Sequence, residues 1–225
     1  MDKRWLEVLM DSFKPDIVAV GGMIRNPKSE NKLQELVGRE LEYRFSNLPK
    51  FVSRLPTMNL CVRTKFAKKE KFNSSLNVAQ ETAWGYQLGG YGRIMFNPDA
   101  IVWHHHRATW KAYLKQQYLY AQNVPKVYLN KRNIKRISND EISDISMPIQ
   151  IGLMSLMFAF LLLGAWKLYL FHFSAILFLT LLAMFTYHAH QLSNKITEIF
   201  YYIIIFFART VAWTLGILTG LSGVF

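Results

Sequence analysis

Glu81 is a residue whose type and position suit it to acid–base chemistry. It follows Gln80 near the start of residues 78–88, a stretch whose apolar spacing predicts a helix. A carboxylate in such a position can accept a proton from an attacking hydroxyl group, which is general base catalysis. A glutamate in the first turn of a helix is also favoured by the helix dipole, so a purely structural explanation stays open.

Three consecutive histidines form the second polar group. His104, His105 and His106 follow a predicted strand that begins with residues 93–96. Neighbouring residues at the end of a strand point to opposite faces, so the three rings cannot all reach one ion. The sequence therefore predicts no metal site here. The single cysteine, Cys61, also excludes an internal disulfide and any zinc site built from cysteines.

Helix and strand signals alternate around these residues, which is typical of an α/β domain. The turn that should close the first strand is predicted at Gly21 and Gly22. The predicted elements are helices at 5–13, 31–45 and 78–88 and strands at 16–20, 59–63 and 93–96.

The opening of the chain lacks the features that seat a nucleotide. A nucleotide-binding α/β domain normally begins with a strand and a phosphate-binding turn. This chain opens on a predicted helix and has neither a glycine-rich phosphate loop nor an Asp-x-Asp pair for a metal–diphosphate. Its start therefore has the pattern of the middle of a domain.

Residues 147–225 are predicted to lie in a membrane. Their only charged residues are Lys167, Lys195, Glu198 and Arg209. A spanning helix needs roughly 20 mainly apolar residues, because its backbone must satisfy its own hydrogen bonds across about 30 Å of hydrocarbon. Three stretches meet this requirement, at 147–166, 168–187 and 199–224.

Basic residues near these spans predict their orientation. The stretch between Asp99 and Asp140 has eight lysines and arginines and no acid, so we expect it on the cytoplasmic side together with Lys195. Three spans then place the C-terminus outside. Most of the net charge of +12 precedes the spans, which favours binding to anionic lipid over binding to nucleic acid. Arg209, inside an apolar run, either reaches an interface or lines a polar path for a lipid headgroup.

The stretches 80–88, 90–107 and 113–121 together resemble the C-terminal half of the catalytic domain of membrane-bound family-2 glycosyltransferases, which have a GT-A fold. In that family an acidic pair opens a helix, and a strand then leads to a histidine. A basic helix with a Gln-x-x-Arg-aromatic motif and membrane spans follow in the same order.

The resemblance implies roles for individual residues. Glu81 occupies the position of the catalytic base, where the family has the Asp of a Glu-Asp pair and this chain has Gln80 and Glu81. Leu119 stands where the family has its arginine, which weakens the expected grip on a diphosphate or acceptor. The residues implied in acceptor or donor binding are Asn59, Arg63, His104, His105, His106, Arg107, Gln116, Gln117 and Tyr120.

The predicted organisation is a partial GT-A-like, Rossmann-like domain with a basic interfacial helix at 1–137, a linker at 138–146 and a transmembrane region at 147–225. The resemblance implies sugar transfer from a nucleotide-sugar donor to a lipid-linked or polysaccharide acceptor at the cell membrane, with the N-terminal part cytoplasmic. The Mg²⁺ or Mn²⁺ expected for the complete enzyme would have its ligands outside this chain. They would lie in a half that is separately encoded or lost by truncation, so the chain alone is expected to be inactive.

Two other functions remain open from the sequence. One is a non-catalytic membrane anchor or partner subunit that keeps the fold. The other is a lipid-binding scaffold without sugar chemistry. Glu81 and the histidines favour an enzyme, whereas Leu119 and the missing metal ligands favour a subunit or a fragment.

Overall fold

The computed structural model describes residues 1–76, 78–128, 141–142 and 145–222. Contacts divide the chain into two compact units. The first unit comprises Met1–Thr109 and Asn123–Asp144, and the second comprises Trp110–Gln122 and Ile145–Phe225. Residues 110–122 thus group with the C-terminal helices, whereas residues 123–144 group with the first unit.

The first unit alternates helices and strands, which confirms the α/β class. Its elements are α1 (Trp5–Asp11), β1 (Ile17–Arg25), α2 (Lys32–Ser46), β2 (Phe51–Val52), a short 3-10 helix (Thr57–Asn59), β3 (Leu60–Val62), α3 (Thr64–Lys69), α4 (Gln80–Leu88) and β4 (Arg93–Trp103). The helix that follows, α5 (Trp110–Tyr128), has residues 110–122 in the second unit.

The strands of the described residues form one mixed sheet in the order β2-β4-β1-β3. β1 and β4 pair in parallel, whereas β3 pairs antiparallel with β1 and β2 pairs antiparallel with β4. β1 is buried along nearly its whole length, as expected for a central strand that reads as an apolar run. The predicted strands at 59–63 and 93–96 are confirmed, and β4 continues to Trp103.

The turn predicted at Gly21 and Gly22 is wrong, because β1 runs through both glycines to Arg25. A side chain at Gly22 would overlap the backbone of Ala100 on β4, and one at Gly21 would overlap the backbone oxygen of Asn59. The two glycines therefore allow neighbouring backbones to approach closely, which is the other common use of glycine in a strand.

The amphipathic helix predicted at 31–45 is confirmed as α2. Asn31 caps its start, since the Asn31 side chain accepts a hydrogen bond of 3.0 Å from the Gln34 backbone N–H. The apolar face buries Leu33, Leu36 and Phe45. This packing holds α2 against the sheet.

Part of the predicted linker at 138–146 belongs to the first unit. The Glu141 carboxylate accepts hydrogen bonds from the Ser53 backbone N–H at 2.8 Å and from the Ser53 hydroxyl at 2.9 Å. Ile142 packs against the hydrophobic core. Residues 138–140 and 143–144, and the basic run at 131–136, lie outside the described residues.

The second unit contains three long apolar helices, α6 (Ser146–Gly164), α7 (Leu170–Leu192) and α8 (Ile196–Ser222). They correspond to the three predicted spans, and each is long and apolar enough to cross a bilayer. Many of their large apolar side chains face outward; Leu179, for example, is 63% exposed. Such surfaces are compatible with a membrane protein, because lipid would cover them.

Polar contacts join α6 to α7 and fix the turn before α8. The Ser174 hydroxyl on α7 donates to the Met157 carbonyl on α6 at 3.1 Å. Before α8, the Ser193 hydroxyl donates to the Glu198 carboxylate at 2.7 Å. The tight hairpin between the first two helices follows from the short connection that separates them.

Candidate functional site

Glu81 lies in the first turn of α4 and is half-buried. The residue before the helix, Ala79, has a left-handed backbone conformation with φ 63° and is fully buried. That conformation is uncommon for a residue with a side chain, and such strain is concentrated at functional sites. The chain therefore turns sharply into the helix just before the candidate base.

The rest of α4 is anchored by packing and hydrogen bonds. The Trp84 indole N–H donates to the Glu70 carbonyl at 2.7 Å, and the Gln80 side chain donates to the Leu76 carbonyl. Gly85 faces Arg54 with no room for a side chain between them. These contacts hold the first turn of α4, and with it Glu81, in one position.

The histidines at the end of β4 alternate as their spacing predicts. His104 and His106 are half-buried with their ring centroids 5.1 Å apart, whereas His105 is exposed. The Gln34 side chain on α2 donates to the His106 carbonyl at 2.7 Å. Among the described residues, no group of His, Cys, Asp or Glu is arranged to hold a metal ion.

The protonation of the two inner histidines is governed by burial. Burial lowers the pKa of His106 to about 4, and the neighbouring His104 adds to the shift while Glu40 opposes it. The pKa of His104 is also lowered, mainly by burial and then by His105 and Arg107. Both rings are therefore neutral at pH 7, so each can donate one hydrogen bond and accept another.

Asn59 serves the fold. Its side-chain nitrogen donates to the Met23 carbonyl at 2.9 Å and the Ala100 carbonyl at 2.8 Å, and its oxygen accepts from the Trp5 indole at 2.8 Å. With only 1% of its surface exposed, it joins β1, β4 and α1. The predicted place of Asn59 in an acceptor cleft stays a prediction, and these contacts favour a structural role.

The Arg63 side chain is likewise held by backbone carbonyl groups. Its guanidinium donates to the carbonyls of Ile17 and Lys14, both at 2.8 Å. The same group lies 5.0 Å from the centre of the Phe13 ring. The predicted ligand-binding role of Arg63 stays a prediction, and its contacts favour a structural one.

In the second unit, α5 places the glutamine motif against α8. The Gln117 side-chain oxygen accepts a hydrogen bond of 2.9 Å from the Trp213 indole. Tyr118 and Thr219 share a hydrogen bond of 2.9 Å between their hydroxyls. Gln116 and Tyr120 lie on the same helix and are half-buried, and Arg107, ahead of it, is exposed. The motif thus takes part in helix packing.

Small residues make this pairing close. Gly216 and Gly220 are four residues apart on α8, and a side chain at Gly216 would collide with the Tyr118 backbone and with Ala121. Small residues at this spacing let two helix backbones approach, as in membrane helix pairs. The two helices run in the same direction, because later α5 residues meet later α8 residues.

Arg209 lies inside the second unit. Only 8% of its surface is exposed, and its guanidinium lies 4.8 Å from the centre of the Phe206 ring. Burial inside the unit does not fix the depth of Arg209 in a membrane, so the interface explanation stays a prediction. Whether it lines a path for a headgroup stays a prediction.

The sequence did not reveal two residues that support the site. Gln34 holds the segment after β4 through the His106 carbonyl. It lies among the apolar residues of α2 and is 2% exposed. A polar residue beside the buried stripe of an amphipathic helix is the signal that could have found it. Trp213, the partner of Gln117, had no such signal.

Comparison with known proteins adds no further identification. Neither a family model nor a curated protein matches this chain.

Proposed function

We propose that this chain is a membrane glycosyltransferase, or the C-terminal part of one, that transfers a sugar from a nucleotide-sugar donor to a lipid-linked or polysaccharide acceptor. The observation that carries the proposal is the position of Glu81. It lies in the first turn of a firmly anchored helix, after the strained Ala79, and the strand that follows leads to two neutral histidines just beyond its end. The order of elements agrees with the resemblance described from the sequence.

In this proposal Glu81 accepts the proton of the acceptor hydroxyl while that oxygen attacks the anomeric carbon. The bond from this carbon to the diphosphate then breaks, and the nucleotide diphosphate leaves. The expected Mg²⁺ or Mn²⁺ finds no fitting ligand set among the described residues, so no step is assigned to a metal bound by them.

A non-catalytic membrane subunit is the second candidate. The observation that favours it is the structural use of Asn59, Arg63 and Gln117, whose side chains already bind the protein itself. A chain that keeps the fold without sugar chemistry would need these contacts and no catalytic base.

An assay of sugar transfer separates the two candidates. The chain is reconstituted in liposomes, alone and with the polypeptide encoded immediately upstream. It is then supplied with a panel of nucleotide sugars and Mg²⁺ or Mn²⁺, and radioactive sugar in lipid products is measured. We expect transfer only by the combined polypeptides. Absence of transfer from both preparations would favour the anchor subunit.

Glu81→Gln tests the catalytic role in the active preparation. Loss of a general base should lower the turnover rate by about 10²-fold or more while donor binding is nearly unchanged. The matched control is Glu7→Gln on α1, since Glu7 is an exposed glutamate outside the site. Equal activity of the Glu81→Gln and Glu7→Gln proteins would rule out Glu81 as the base.

A further inference from the structure

A dense group of exposed lysines lies on and just after α3. We call it the lysine patch: Lys65, Lys68, Lys69, Lys71 and Phe72, all of which are exposed. None of these residues has a part in the proposed sugar transfer. The patch therefore calls for a separate explanation.

The lysines of the patch keep their charge unpaired. Among the described residues, no carboxylate forms an ion pair with any of the four. Lys65 and Lys69 instead lie over aromatic rings, each 4.7 Å from a ring centre. The one acid within the segment, Glu70, binds the Tyr91 hydroxyl.

The basic residues of α2 provide the contrast. Lys32 and Arg39 both pair with Glu35, and Arg44 pairs with Glu40. Such pairs one helical turn apart neutralise a solvated helix surface. The lysine patch lacks this pattern, so its positive field extends into solvent.

Phe72 adds an apolar group to the same surface. Its side chain is 46% exposed, and its ring lies against the buried Trp84 with the centroids 4.6 Å apart. An aromatic ring beside long basic side chains suits the boundary between water and lipid, where the ring enters the headgroup layer and the amines stay among phosphates.

We propose that the lysine patch binds the anionic surface of the membrane into which α6, α7 and α8 insert. Each lysine near an anionic surface adds attraction that falls off within the Debye length. Because the same chain carries the apolar helices, the lipid surface is always within reach of the first unit, so weak contacts suffice. The proposal does not depend on sugar transfer.

A lipid surface fits the patch better than a small phosphate ligand or an acidic protein. Small-ligand sites are concave and bury most of the ligand, whereas these lysines project from a short exposed helix and the residues after it. An acidic protein would match the charge but is not implied by anything else in the chain. The following experiment separates the lipid from both.

The test places a fluorescent probe beside Phe72. A bimane label is attached to Ser74→Cys in a Cys61→Ser background, and the full chain is reconstituted in vesicles of brominated phosphatidylcholine with or without phosphatidylserine. We expect phosphatidylserine to increase quenching of the probe by about twofold or more. Raising the salt from about 0.1 M to 1 M should remove the increase, because the Debye length falls from about 10 Å to 3 Å.

Paired variants show whether the patch itself is responsible. Lys68→Gln with Lys69→Gln should abolish the increase, whereas the control, Lys32→Gln with Arg39→Gln, removes the same net charge and should keep it. Thermal unfolding in detergent checks that both variants are folded. Equal quenching with and without phosphatidylserine, or equal loss in both variants, would overturn the proposal.

Discussion

His106 links the protonation of one side chain to the stability of the first unit. Its pKa is lowered from 6.5 to about 4 in the folded chain, so the unfolded chain binds more protons between these pH values. Stability is therefore retained above pH 6.5 and lost as the pH falls toward 4. Between pH 7 and pH 5 we expect a loss of about 1 kcal/mol, with allowance for partial exposure of the ring.

Thermal unfolding in detergent at pH 7 and pH 5 measures this loss. His106→Asn should reduce the drop in midpoint temperature between the two pH values. His105→Asn is the matched control, because His105 is an exposed neighbour. The lowered pKa of His104 leaves part of the pH dependence in place. An unchanged drop in His106→Asn would show that its ring is protonated equally in both states.

Side-chain roles were the least predictable feature at this scale. The sequence predicted a strand at 59–63, and Asn59 and Arg63 flank the observed β3, but the sequence could not show which atoms they would bind. Their partners are backbone carbonyls of β1, β4 and the segment before β1. Such partners are set by the pairing of strands that are distant in sequence. By contrast, the alternation of the histidines followed directly from strand geometry.

At the scale of elements, the packing of α5 on α8 depends on glycine. Gly216→Leu would place a side chain against the Tyr118 backbone and Ala121, which should weaken the pairing by about 1–3 kcal/mol. Hydrogen exchange of residues 110–122, followed by mass spectrometry, should then be roughly tenfold faster or more. Gly152→Leu on α6 is the control, since nothing lies within 4 Å of a side chain at that position.

Equal exchange in both glycine variants would show that α5 does not need this contact.

The existence of α2, α4 and the three apolar helices could be predicted, because each has its own periodic or apolar pattern. The continuation of β1 through Gly21 and Gly22 could not, since those glycines serve neighbours on β4 and near β3. Glycine serves both tight turns and the close approach of two backbones, so its presence in the sequence does not tell these two uses apart.

At the scale of the whole molecule, the α5–α8 pairing bears on topology. Lys111 and Lys115 make α5 basic, which favours the cytoplasmic side. The segment of α8 from Trp213 to Thr219 that contacts α5 lies in the C-terminal half of α8, toward the end that three complete spans put outside. The ring contacts of Phe178 with Phe207 and of Phe185 with Phe206 hold α8 antiparallel beside α7, so we expect all three helices to cross and a C-terminal reporter to be outside.

Reporter fusions after Lys195 and after Phe225 test this arrangement. The first should report a cytoplasmic position and the second the outside, and a fusion after Lys167, in the connection between α6 and α7, should report the outside and serves as the control. A cytoplasmic C-terminus would mean that α8 does not cross with α6 and α7.

The distance in sequence between Gln117 and Trp213 also sets an order of events during biosynthesis. The two partners are 96 residues apart. At a translation rate of about 5–20 residues per second, α5 waits roughly 5–20 s for its partner helix to be made. During that interval its surface is open to chaperones or to other nascent chains. A chain cut before Trp213 would leave that surface of α5 permanently without this partner.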